Sequence, residues 1–288
     1  MPRNIDIGLL RTFIAVSETG GMTSGSRILN LTQAAVSQQI KRLEELFEAE
    51  LFDRSQRQLT PAGERLMGNA HRIIAMNDEI WGLMTSPDFE GEVRLGVPHD
   101  IVGPFMPPIL RSFSYTWPRV RVTLVCETTP RLLGLLKDGK IDLTLTTEAE
   151  PGDMHEFLLT DPLVWVGARD GNAHTRDPLP ISLGNETCAF RAAALKALTK
   201  AGRNWSLICQ VSDMGPLAAT LEADLAIAPF LAQTVPDNVI VLDKALGLPP
   251  LPSYHINLRL PPASVSEIAA ELADHIRKGF LARYTQAA

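Results

Sequence analysis

Gln33, Ser37 and Lys41 recur at every fourth position, with Gln38 and Arg42 beside them. Residues spaced by four share one face of a helix, so this row gathers amides, a hydroxyl and cations without a carboxylate. A Gln amide can pair bidentately with adenine, and a Lys can meet guanine or a phosphate. On another row Val36, Ile40, Leu43 and Phe47 stand four, three and four apart, an apolar stripe expected to be buried. Thr32 is positioned to cap this helix through its hydroxyl. A helical hairpin with a solvated polar face would show the same two rows. The next residues separate the readings: Leu51-Phe52-Asp53-Arg54, then Arg57-Gln58-Leu59, places Arg54 and Arg57 on a short extended hairpin. Such a wing suits contact with a nucleic-acid backbone or minor groove.

The row needs elements to hold it outward. Ile28 and Leu29 close a preceding helix that Thr23 or Ser24 can cap, and Asn30-Leu31 leaves room only for a turn. A first helix, from about Asp6 to Thr19, stops at Gly20-Gly21 and buries Leu10, Phe13 and Val16 under the other two. This arrangement is a winged helix-turn-helix that offers its last helix to a major groove.

Leu10, Phe13 and Val16, then Leu29, the run from Leu31 to Ser37, Leu43-Glu44, Leu51 to Arg54 and Leu59 to Gly63 resemble the N-terminal signature of LysR-type transcriptional regulators. The resemblance spans about the first 65 residues. This chain has Gly25-Ser26 where the motif usually carries paired alanines, and Ala34 where proline is common. Gly inside a helix costs roughly 1 kcal/mol relative to Ala. The resemblance implies a promoter-DNA partner, with Thr32, Gln33, Ser37, Gln38, Lys41, Arg42, Arg54 and Arg57 as the contacting residues. Residues 1–60 would form the DNA-binding domain.

Thr60-Pro61 opens a long helix: Thr caps, Pro suits the first helical position, and Glu64 suits the positive end. The helix is predicted to run to Ser86-Pro87, roughly 37 Å. Leu66, Ile73 and Ile80 repeat every seven, as do Ala70, Asn77 and Met84, and as do Met67, Ile74 and Trp81. Heptads of this kind fit a two-helix seam with Asn77 setting the register; packing against its own chain is the alternative. The family resemblance implies that residues 61–87 make a homodimer, and that the whole assembles as a homotetramer.

Asp88 to Gly91 reads as a hinge. Beyond it strands alternate with helices: strands at Val93–Val97, Val120–Cys126 and Ile141–Thr146, helices at about 104–115 and Pro130–Lys137. This βαβαβ order implies a parallel sheet. Phe157–Ala168 is predicted as a crossing strand. Arg191–Ala201 is predicted as a helix, and Ser206–Val211, Leu225–Pro229, Val239–Leu242 and Tyr254–Leu260 as strands. Val265–Tyr284 is predicted as a closing amphipathic helix. The fold class is α/β: a winged helix-turn-helix, a long linker helix and a two-lobed effector domain over 88–288. The last resembles the periplasmic-binding-protein-like domain of the LysR family, with lobe I at about 92–160 and 263–288 and lobe II at about 161–262. Gly96–Val102 and Pro162–Gly167 resemble an LrhA-like or VtlR-like branch.

In open α/β sheets small molecules bind beyond the carboxyl ends of strands, where helix N-termini converge. Those ends supply His99, Asp100, Ile101, Thr128, Thr129, Thr146 and Thr147, with Arg191, Asp213 and Phe230 from the second lobe. Hydroxyls and imidazole suit a small polar effector, and Arg191 would favour a carboxylate. Thr128 or Thr129 capping the next helix, and Arg191 pairing with an acid, are the plain alternatives.

The net charge of −6 lies outside the first 65 residues, which hold eight Lys/Arg and eight Asp/Glu. A neutral module implies modest DNA affinity per subunit, hence cooperation between modules. Three cysteines without CxxC spacing fit a reducing cytoplasm, although a thiol such as Cys126 could serve as a redox-responsive switch. No GxSxG, P-loop, GxGxxG after a strand or HExxH is present, and the six histidines lack metal-ligand spacing. Neither enzyme activity nor a cofactor or metal is expected. No stretch approaches 18 apolar residues, so no membrane span is expected. The rival reading is a cytoplasmic small-ligand-binding protein of the same fold, which would have no use for the N-terminal module.

Overall fold

A computed structural model describes residues 4–53, 58–85, 91–150, 156–211, 214–262 and 265–287. The chain divides into two compact units. One comprises residues 1–92 with 119–121 and 135–141, the other the remainder.

The first unit begins with α1 (Ile7–Glu18), α2 (Met22–Ile28) and α3 (Gln33–Phe47). Asp6 caps α1 by accepting a hydrogen bond from Gly8 N–H at 2.7 Å. Helix α2 starts instead from Gly21, with no side-chain cap. Thr23 and Ser24, expected as caps, fall inside its first turn, because Gly20-Gly21 lets the chain turn sharply enough to begin earlier. Gly25 sits where α2 crosses α1: an added Cβ would lie 3.0 Å from Val16 Cγ2 and 3.2 Å from its Cα. Close helix approach explains a glycine that propensity alone disfavours. Asn30 then adopts φ 53°, the left-handed turn between the helices.

Leu10, Phe13, Val16, Val36, Ile40 and Leu43 form the core of this unit. Phe47 does not join it: at the C-terminus of α3 it remains 39% exposed, where the helix has run past the core. The wing is β1 (Phe52–Asp53) paired antiparallel with β2 (Gln58–Leu59). Helix α4 (Pro61–Thr85) follows. Thr60 N–H donates to Leu51 O at 3.0 Å, and its hydroxyl donates to Glu50 O and accepts from Gly63 N–H. A Cβ on Gly63 would stand 2.3 Å from Leu51 O, so only glycine fits. Met67 and Ala70 bury into the first unit's core with Leu66, Ile73 and Ile74 packed beside them. The first half of α4 therefore does pack on its own chain, while Met76, Ile80, Trp81 and Met84 are exposed. The expected hinge falls mostly outside the described residues, as 86–90 do.

The chain continues with β3 (Gly91–Val97), α5 (His99–Thr116), β4 (Val120–Cys126), α6 (Thr129–Lys137), β5 (Leu143–Glu148) and β6 (Glu156–Ala168). Helix α5 begins five residues before the expected start and carries Pro104, Pro107 and Pro108 inside it. Interior prolines forfeit backbone bonds; burial of Ile101, Phe105, Met106, Ile109 and Phe113 overrides that cost. Next come β7 (Leu179–Leu183), α7 (Ala189–Lys200), β8 (Trp205–Gln210), α8 (Met214–Glu222), β9 (Ala228–Leu231), β10 (Val239–Val241), β11 (Ser253–Arg259) and α9 (Glu267–Ala287). Of these, β7 and α8 carry no counterpart in the sequence-based expectation. Pro180 disguises the first, and Gly215-Pro216 at its start disguises the second.

Strands run in the order β10-β6-β11-β5-β3-β4, with β9 also on β6 and β7 paired parallel to β8. Strands β3 and β5 are parallel, and β11 is antiparallel to β5. Strand β6 serves both halves: Glu156–Pro162 pairs with β11, whereas Leu163–Ala168 pairs with β9 and β10. It is the expected crossing strand. Helix α9 returns to pack on α5, with Phe280 stacked on Phe105 at 4.7 Å, and Arg277 forks onto Glu156 of β6.

Candidate nucleic-acid interface and ligand cavity

On α3 the apolar stripe is pinned inward by Val36, Ile40 and Leu43, which leaves Gln33, Ser37, Gln38, Lys41 and Arg42 exposed. Thr32 Oγ1 accepts from Ala35 N–H at 3.1 Å, so Thr32 acts as the cap. Gln39 faces the other way and accepts a bond from the Thr12 hydroxyl. Lys41 lies 3.6 Å from Glu45, an exposed pair of little strength that a phosphate can displace. Gln33, Ser37 and Lys41 also wall an open groove of about 930 Å³ with Thr23, Ser24 and Gln58. The last three were not anticipated as groove residues, since their shared wall forms only when α2 and the wing meet α3. Arg54 and Arg57 lie outside the described residues.

The second unit holds a cavity of about 310 Å³. The carboxyl ends of β3, β4 and β5 supply His99, Asp100, Thr128, Thr129 and Thr147, and Arg191 and Phe230 close it from the β7–β9 side. Ile101 and Thr146 do not reach it. Ile101 is one helical step past Asp100 and turns into the core, and Thr146 is buried in β5 with its hydroxyl on Glu148. Asp213 is outside the described residues.

Thr129 and Thr147 lock the end of β5 to the start of α6: Thr147 N–H donates to Thr129 Oγ1 at 2.9 Å, and that hydroxyl donates to Thr147 O. Thr147 Oγ1 in turn donates to Asp100 at 3.3 Å. Burial pushes the Asp100 carboxyl up to about 6, against the opposing bonds from its own amide and Thr147. Glu148 behaves oppositely. Burial would raise it, but the Arg259 guanidinium at 2.8 and 2.9 Å, helped by the Thr146 hydroxyl, brings it below the usual range.

The second-lobe wall was largely missed, notably Cys188 at the N-cap of α7 and Phe190 beside it. Burial raises the Cys188 thiol, opposed in part by the nearby backbone amides of Arg191 and Phe190, and its side chain makes no capping bond to α7. Tyr254 fixes this end of α7 by donating to Ala189 O at 2.9 Å. Arg191 donates to Gly184 O at 3.1 Å. Leu183, Val211, Met214, Leu217 and Pro229 make the rest of that end apolar.

A winged helix-turn-helix in one unit and a ligand-sized cavity within a two-lobed α/β unit define a DNA-binding protein with a sensory domain. Residues 7–64 match the family described as bacterial regulatory helix-turn-helix protein, lysR family, and residues 87–280 match the LysR substrate binding domain. The chain is 34% identical over 277 residues to the HTH-type transcriptional regulator DgdR of Burkholderia cepacia, covering 96% of this chain and 94% of DgdR. It is 30% identical over 278 residues to the regulator PecT of Dickeya dadantii, covering 96% and 88%. The fold is shared with ArgP from Mycobacterium tuberculosis at a TM-score of 0.69 and 19% identity, over 96% of this chain and 98% of that one. The chain belongs to the LysR family of DNA-binding transcriptional regulators with an effector-binding domain. Among the described residues no helix is long and apolar enough to cross a membrane.

Proposed function

We propose that the α3 row reads promoter DNA and that the cavity of the second unit takes the small-molecule effector that modulates it. Gln33, Ser37, Gln38 and Lys41 face base edges or groove. Thr32 and Arg42, with Arg54 and Arg57 of the wing, face phosphates. The observation that carries this is the sorted surface of α3: three buried apolar residues leave Gln33, Ser37, Gln38, Lys41 and Arg42 exposed, while the exposed acid, Glu45, is confined to the last turn. The exposed end of α4, with Met76, Ile80 and Met84, supplies the homodimer seam, and dimers pair into a tetramer. The protein acts in the cytoplasm without catalysis, and a ligand changes promoter contact through its differential affinity for two arrangements of the assembly. Cys188 is a poor candidate for thiol sensing, because burial raises its thiol and so disfavours the reactive thiolate.

Gel shift of the full chain on its own upstream region tests the reading. Ser37→Glu sets a carboxylate against phosphate and should abolish the shift while leaving circular dichroism and oligomer size unchanged. Retained binding at moderate salt would remove α3 from the interface.

A further inference from the structure

Resting on the reading of the cavity as the effector site, we propose that its effector is an organic cation: a primary ammonium on a compact apolar body, held by Asp100. The cavity is enclosed by three carboxylates, Asp100, Glu127 and Glu148, and one guanidinium, Arg191. Glu148 is matched by Arg259, which leaves it no need of a ligand. Asp100 has no ion pair among the described residues: its side chain receives the Thr147 hydroxyl and its own amide, while His99 beside it on α5 and Asp161 on β6 act on it through space, in opposite senses.

Three helix N-termini open on this cavity, at His99, Thr129 and Ala189, and helix N-termini ordinarily recruit anions. That of α5 already carries an anion of the chain's own, the Asp100 carboxylate on its first turn, and at α7 the Cys188 thiol stands at the N-cap without a capping bond. At α6 the Thr129 hydroxyl is engaged with Thr147. An incoming carboxylate would meet Asp100 where an anion site should be, whereas an ammonium would supply the charge that Asp100 lacks. Buried charges are tolerated when paired. Leu183, Val211, Met214 and Phe230 then receive the apolar body, and Arg191 stands ready for a carboxylate on the same molecule. Simple amines and zwitterionic amino acids share the ammonium and differ at Arg191.

The test uses the full-length protein with 2-phenylethylamine, 3-phenylpropionate and phenylalanine, and with the isobutyl analogue of each, followed by calorimetry and gel shift. The ammonium-bearing probes should bind at pH 8, and about tenfold more weakly at pH 5, because Asp100 must lose its proton first. Asp100→Asn should weaken them at least tenfold at pH 8 and flatten the pH dependence. Phenylalanine binding tighter than 2-phenylethylamine identifies the zwitterion as the source, and the reverse identifies the simple amine. Ala189→Trp, which fills the cavity from the rim of α7, should abolish binding. Binding of only the carboxylates, blocked by Ala189→Trp, overturns the cation class and leaves the cavity reading standing. No ammonium probe binding at either pH, or binding untouched by Asp100→Asn, overturns the proposal. Ammonium binding at Asp100 that leaves the DNA complex unaltered overturns the effector reading instead.

Discussion

Asp100 has two consequences of opposite sense. Its folded value near 6 lies above the ordinary 3.8, so the native state holds this proton more tightly than the unfolded chain. Ionising it therefore costs stability. The cost is absent below about pH 4, grows up to about pH 6 and is complete above that. In unliganded protein Asp100→Asn should raise stability at pH 7.5 by on the order of 1–2 kcal/mol, discounted for access from the cavity, and should change nothing at pH 4. Thermal unfolding at the two pH values checks this; equal gains at both would place the effect in packing rather than charge. Asp100, expected from the sequence at a ligand site, lines the cavity, whereas Ile101 and Thr146, expected beside it, do not. A motif at a strand end locates a loop, but whether a given side chain turns into the core or the cavity depends on one step of helix or strand rotation.

At the scale of elements, what the sequence makes legible follows the range of the contacts. The three helices and wing of the first unit are read from local spacing, since their caps and stripe lie within a few residues of what they touch. Phe47 departs because the apolar period of α3 outruns the core it packs on. The cavity's second wall is assembled from β7, the start of α7 and the start of α8, far apart in sequence, and Pro180 and Pro216 mask two of those elements. The junction of wing and α4 is fixed by close approach. Gly63→Ala should destabilise the first unit by about 1–3 kcal/mol, read as a lower melting temperature, because its methyl group meets the Leu51 carbonyl. A change within 0.3 kcal/mol would show that this joint yields.

For the whole molecule, the heptad reading of α4 divides in two. Leu66, Met67, Ala70, Ile73 and Ile74 serve the chain's own core, and Met76, Ile80, Trp81 and Met84 stay exposed. Replacing Ile80 and Met84 together by Glu should convert the oligomer to monomer on sizing chromatography and weaken promoter binding by at least tenfold, since paired modules supply affinity that one neutral module lacks. Asn77→Leu should leave it oligomeric, because the Asn77 amide is bonded to Asp78 of its own helix; a monomer would count against the seam along α4. The Thr60 clasp carries a mechanical consequence. Its bonds to Glu50 and Leu51, and the absence of any space at Gly63, leave the reading head no slack on its rod. In the proposed dimer a twist of that rod would swing the α3 surface with it, so the spacing of two operator half-sites would follow from how the rods are yoked.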